Sequence, residues 1–208
     1  MKNLKLVYNW NMKQSDIYKI HQKLSHVINK SKMVEICWTH SLIVKNIADQ
    51  IADKLEKEYG ITTDKKLIEI GALIHYIGYY NCFDDNFKKV GKYVLHGKMG
   101  YEILLKMGVS KKRARFALTN VGVGLEHNIP ISLEEEIVCY ADNFHSKGHP
   151  GFNTFEETKE EMIKINPDYG IVLERFKDKF GIPELKELEK KYKEWHKEIN
   201  EWMNVVKW

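Results

Sequence analysis

Proline is scarce, with four in 208 residues, and each proline inside a helix removes a hydrogen bond and clashes with the preceding turn. Long helices are therefore open to this chain. Strict apolar–polar alternation is missing, which excludes an α/β or β fold and leaves helical spacing as the governing pattern. No stretch approaches the roughly 18 apolar residues of a membrane span. The N-terminal MKNLKLVYNWNMKQS also lacks the continuous apolar segment of a secretory signal. A soluble, unprocessed, cytoplasmic protein with no membrane partner is expected. Cysteine is sparse: Cys37, Cys82 and Cys139 are odd in number and form no CxxC pair. They read as buried, reduced thiols rather than a disulfide framework. No sign of charge dominates, because 33 basic and 29 acidic side chains leave +4 and are interspersed. That excludes a broad nucleic-acid footprint, the one basic cluster from Lys111 to Arg115 being a short helical start. A small anionic substrate remains compatible. There is no internal repeat and no low-complexity segment.

What is present is helical periodicity nearly throughout. Ile17, Ile20, Leu24 and Ile28 share one face of a first helix over residues 16–28. A second, over 34–59, places Ile36, His40, Ile43, Val44, Ile47, Ile51 and Leu55 on one stripe and stops at Gly60. A third, over 63–77, is apolar almost all round and is expected to be the central buried helix, with His75 near its end. Residues 78–95 read as a long loop rich in Tyr, Asn, Asp and Lys. A helix over 98–107 ends at Gly108, and Ser110 opens another. Ser132 with Glu135 forms a capping box ahead of a helix carrying Asp142, and Thr154 with Glu157 repeats that signal. Pro183 is expected at the first position of a long last helix through Leu185, Leu188, Tyr192, Trp195, Ile199, Trp202 and Val206. The expected organisation is a helical domain over 1–150 with its core at 33–147, and a helical extension over 151–208. That extension would pack on the core or mediate a homodimer.

Buried histidine and aspartate on separate helices destabilise a fold unless something satisfies them, and a divalent metal takes neutral imidazole and carboxylate together. His40, His75 and Asp142 are the candidates. Spacing alone does not separate ligands from satisfied core histidines.

The segments CWTHSLIVKNIADQIA, GALIHYIGYY, HGKMGYEILLKMGVS, NVGVGLEHN and SLEEEIVCYADNF, in this order, resemble the landmarks of the HD-domain superfamily, closest to small HDIG-type proteins. The resemblance covers roughly residues 33–147. It implies an all-α, HD-domain-like helical bundle and a metal-dependent phosphohydrolase. It makes His40 the first metal-binding histidine, His75 the histidine of the HD pair and Asp142 the distal aspartate. The aspartate that follows the paired histidine in the family is here Tyr76, the basic residue after the glycine corresponds to Tyr79, and an expected histidine is Asn120. His96 stands where family members often carry a further histidine.

Two imidazoles and one carboxylate can hold a divalent ion, with Mn, Fe, Co, Ni and Zn not distinguished and weaker binding, or none, as the consequence of the lost ligand. Tyr76 either ligates a Lewis-acidic metal as phenolate or fills the vacated volume; a phenol titrating near 10 favours the second. His96 and Tyr76 are the candidate catalytic residues, and Tyr79, Tyr80, Lys98 and Asn120 the candidate substrate contacts. Phe83 and Tyr93 extend an aromatic pocket or cover, Lys88, Lys89 and Lys92 surround the approach to His96, and His127 and His149 are expected at the surface. Two functions remain open. One is hydrolysis of a small phosphorylated metabolite or nucleotide. The other is an HD fold that has lost phosphohydrolysis and serves as a small-molecule binder or an enzyme of another reaction type.

Overall fold

A computed structural model of the chain describes residues 12–25, 30–84, 90, 95–121, 128–146 and 150–206. Among these, α1 (Gln14–Leu24), α2 (Lys30–Tyr59) and α3 (Lys65–Ile74) lead into a 3-10 helix (Ile77–Cys82). Then come α4 (His96–Lys106), α5 (Lys111–Leu118) and α6 (Leu133–Asp142), a ribbon of β1 (His145–Ser146) and β2 (Gly151–Phe152), and α7 (Phe155–Ile165), α8 (Pro167–Phe180) and α9 (Lys186–Val206). The fold is all-α, and among the described residues a two-residue antiparallel pairing of β1 with β2 sets His145 opposite Phe152. No helix among the described residues is long and apolar enough to cross a membrane.

Helix α3 is the centre. Leu67, Ile68, Ile70, Gly71, Ala72, Leu73 and Ile74 are all buried along it. One side belongs to a core with Ile43, Val44, Ile47 and Ile51 of α2, Phe116 of α5 and Ile137 of α6, which Leu173 and Phe176 of α8 complete. The other meets Ile17 and Ile20 of α1, Leu104 of α4 and Ala114 and Ala117 of α5. Each fully buried side chain of this size contributes about 1.5–3 kcal/mol relative to exposure. Gly71 permits the α3–α5 crossing, since a Cβ there would lie 2.2 Å from the Phe116 ring.

Several helix ends follow the expected chemistry. Gly60 and Gly108 take positive φ, at 66° and 83°, and stop α2 and α4. Thr154 and Glu157 complete a reciprocal cap on α7. Others differ. Ser132 does accept from the Glu135 amide at 3.2 Å, but the Glu135 carboxylate turns instead to Arg115, at 2.8 Å, so only half of that box forms. Pro183 lies outside α9, which starts at Lys186, whereas Pro167 occupies the first turn of α8, capped by Asn166.

The largest difference lies between α3 and α4. Helix α3 ends at Ile74, three residues before the expected boundary, and the expected loop begins as a buried 3-10 helix carrying Tyr79 and Tyr80. Its cause is a backbone crossing: a Cβ on Gly78 would lie 1.8 Å from the His96 carbonyl oxygen and 2.6 Å from the Gly100 amide nitrogen. Two residues without side chains, Gly78 and Gly100, let the start of α4 lie directly on the turn that follows His75.

Helix α9 lies on α2. Leu188 joins the main core, with Tyr192 and Trp195 against it, while Ile199 and Met203 bury against Ile36. Trp195 Nε1–H donates to Glu35 at 2.8 Å, and Asn200 donates to the Pro150 carbonyl at 2.9 Å. All three cysteines are buried and none is joined in a disulfide.

Candidate metal centre

Three helices deliver one donor each. His40 comes from the inward stripe of α2, His75 caps the end of α3 and Asp142 is the last residue of α6. Their exposures are 1%, 1% and 9%. His40 Nε2 lies 2.9 Å from Asp142 Oδ1 and 3.1 Å from His75 Nε2, and His75 Nε2 lies 3.3 Å from Asp142 Oδ1. Donors about 2.0–2.2 Å from one ion and 90–109° apart are separated by about 2.9–3.4 Å, so the three edges have the size of one face of a coordination polyhedron.

The protonation pattern agrees. His75 Nδ1 is 2.6 Å from the Ala72 carbonyl oxygen and must donate to it, so a neutral His75 presents a lone pair at Nε2. That lone pair faces a carboxylate oxygen and a second imidazole nitrogen. A cation among these atoms satisfies all three at once, and the donor set of two imidazoles and one carboxylate fits a divalent transition ion.

Tyr76 follows His75 in the position of the missing carboxylate. It is wholly buried, its ring set edge-on to His40 at 4.9 Å, stacked on Tyr79 at 4.3 Å and edge-on to His96 at 5.5 Å. It thus forms the wall between the three donors and His96. His96, the buried first residue of α4, accepts at Nε2 from Asn120 Nδ2 at 3.0 Å, which fixes the proton of the neutral ring on Nδ1. The same amide nitrogen lies 3.4 Å from the His75 carbonyl oxygen, tying the end of α5 to the end of α3. Asn120 Oδ1 is buried with no hydrogen-bond partner among the described residues.

Tyr79, Tyr76, His96 and Asn120 are therefore gathered beside the three donors. Tyr80 and Lys98 are not. The Tyr80 hydroxyl donates to His21 Nδ1 at 2.8 Å, and Lys98 is exposed on α4. Phe83 packs edge-on to Tyr79 at 5.1 Å. Tyr93, Lys88, Lys89, Lys92, His127 and His149 lie outside the described residues.

Three histidines not singled out from sequence stand close by. His145 Nδ1 lies 2.8 Å from His40 Nδ1, and His145 Nε2 lies 3.1 Å from His196 Nε2 on α9. The signal for His145 was its place three residues after Asp142; for His196 it was adjacency to Trp195 on the apolar stripe. His21 on α1 is wholly buried, and burial lowers its pKa to about 4, against the opposing pull of the Leu73 carbonyl. Its signal was the spacing, four residues after Ile17 and three before Leu24 on the apolar face of α1.

Comparison with known proteins agrees with this geometry. A family model described as HD domain matches residues 37–147, and all three donors fall inside that span. An uncharacterized protein of Methanocaldococcus jannaschii is 31% identical over 116 residues, which cover 50% of this chain and 63% of that protein. The match thus spans less than two thirds of the relative. No solved structure matches. With the family model covering over half of the chain and its buried histidines and aspartate drawn together by three helices, the chain belongs to the HD domain family, whose members are generally metal-dependent hydrolases.

Proposed function

We propose that this chain is a metal-dependent phosphohydrolase acting on a small phosphorylated metabolite or nucleotide. His40, His75 and Asp142 would hold the ion. The observation that carries this reading is the convergence of two imidazole nitrogens and a carboxylate oxygen, 2.9–3.3 Å apart and buried. A divalent ion supplies Lewis acidity there, lowering the pKa of water toward neutrality and neutralising charge on a phosphoryl group.

The chain's own groups supply positioning. His96, its Nε2 engaged by Asn120 and its ring edge-on to Tyr76, stands beside the donors as the group that positions substrate. Asn120 Oδ1 is a buried acceptor with no donor among the described residues, which suits a substrate hydroxyl. Tyr76 and Tyr79 form an aromatic wall that holds water away from one side of the donors. Burial of all three cysteines suits a reducing compartment such as the cytoplasm.

Elemental analysis of the purified protein beside His75→Ala tests the centre, followed by a phosphoester screen with Mn2+ and Co2+. Near-stoichiometric metal lost in the variant, with turnover lost alongside, supports the reading. A native protein that stays metal-free after incubation with divalent ions overturns it. One observation favours a second reading, a fold retained for binding or for another reaction: a stacked, fully buried phenol stands where the family has a carboxylate. Metal binding without phosphoester turnover would select it.

A further inference from the structure

His40 touches the centre with one ring nitrogen only. Its other nitrogen begins a chain that leaves the site through β1 and ends on α9, outside the residues matched by the family model. With an ion at the centre, His40 Nε2 must offer a lone pair, so the neutral ring carries its proton on Nδ1. His40 Nδ1–H then donates to His145 Nδ1 across 2.8 Å. His145 must accept there and so carries its own proton on Nε2, which donates to His196 Nε2 across 3.1 Å. Each ring has two nitrogens and one proton, so a single choice at His40 determines the tautomer of all three.

Without an ion the chain runs the other way. His40 Nε2–H donates to Asp142 Oδ1 at 2.9 Å, His145 Nδ1–H donates to His40, and His196 Nε2–H donates to His145. Written with neutral rings, the two arrangements differ only in the side of each ring that bears the proton.

The placement is over-determined. His145 is 2% exposed, held in register by the pairing with Phe152 and packed edge-on to the Phe152 ring at 5.4 Å. His196 is fixed by its helix, which the Trp195–Glu35 and Asn200–Pro150 hydrogen bonds fasten on either side. Partial burial also lowers the His196 pKa, which favours the neutral ring that the chain uses.

We propose that His145 and His196 are positioning residues of the metal centre, a hydrogen-bond chain that orients His40 and commits its Nε2 to the ion, making the affinity of the site depend on α9. This rests on the metal-centre reading above. Ligating histidines are commonly oriented by a partner on the second nitrogen, and losing that partner typically weakens metal binding 10–100-fold. Here the partner is another histidine, itself held by a third.

The test is titration with Co2+ and Zn2+, by competition with a chromophoric chelator, of the native protein, His145→Phe, His145→Gln and His196→Phe, with ring-nitrogen NMR of the native protein in both states. The expected result is a loss of about 10–100-fold for His145→Phe, partial recovery for His145→Gln, whose amide can still accept, and a smaller loss for His196→Phe. In the native protein the His145 proton should move from Nδ1 to Nε2 on metal binding, a signature that a purely structural residue would not give. The NMR arm stands even where a variant fails to fold. Affinity in folded His145→Phe within about threefold of native, or a His145 proton that stays on Nδ1 when metal is bound, overturns this inference alone. A native protein that binds neither ion overturns the metal centre and this chain together.

Discussion

Lowering the pH should unfasten α1 from the core through one side chain, His21. This ring is wholly buried, donates through Nε2–H to the Leu73 carbonyl at 2.8 Å and accepts at Nδ1 from the Tyr80 hydroxyl at 2.8 Å. A proton added at Nδ1 removes the acceptor for Tyr80 and places a charge among apolar neighbours, which is why burial lowers the pKa from 6.5 to about 4. Because the folded pKa is the lower one, the unfolded chain binds the proton first. The contribution of the neutral ring is therefore intact above about pH 6.5 and is lost as pH falls from there toward 4. The separation of the two pKa values corresponds to about 3 kcal/mol in full, of which about 2 kcal/mol is gone by pH 5. Acid unfolding sums over many groups of the chain, so the informative quantity is a difference. Urea unfolding of native protein and of His21→Gln, in chelator at several pH values from 7.5 to 5, isolates it. The variant should be less stable at pH 7.5 by about 1–3 kcal/mol, since glutamine cannot serve both partners as the ring does. It should then lose about 2 kcal/mol less than native on acidification. Parallel profiles, with a constant difference across this range, would refute the assignment of that proton to His21.

The other expectations concern the site and its supports. Tyr76→Asp restores the family's carboxylate: without metal the lost ring should cost about 3–5 kcal/mol of stability, while metal affinity and phosphoester turnover should both rise, and unchanged affinity would show that the site has been rebuilt around the phenol. Gly78→Ala drives a methyl into the His96 carbonyl, and backbone cannot yield as a side chain can. A destabilisation of about 3 kcal/mol or more by thermal melting, with loss of aromatic near-UV circular dichroism, is expected. Arg115→Met leaves Glu135, 2% exposed, without its main cation. Because Arg115 itself is partly exposed, the loss should be about 2–3 kcal/mol in urea unfolding, below that of a fully buried pair.

How much of this molecule can be read from its residues depends on the range of the interaction involved. Thr154 and Glu157 announce their helix because both halves of the cap lie within four residues. Ser132 and Glu135 carry the same signature, yet the carboxylate is claimed by Arg115, 20 residues earlier, and no local rule foresees that competition. The 3-10 helix at Ile77–Cys82 has the composition of a loop; Tyr79 and Tyr80 are buried there because α4 crosses at Gly78, a long-range event. At the centre, His40, His75 and Asp142 were legible through resemblance to a family, since helical spacing alone marks a histidine as inward without saying what it meets. His145 and His196 had neither aid. They lie 105 and 156 residues from His40, and one of them sits beyond the family's matched span. Their role emerges only when the rings are in contact and each proton has to be placed, because a neutral imidazole that gives a lone pair on one side must donate on the other. Under the proposed metal-centre reading, that constraint extends the site from three donors to a path reaching α9, and it would make that helix part of the centre's chemistry as well as its packing.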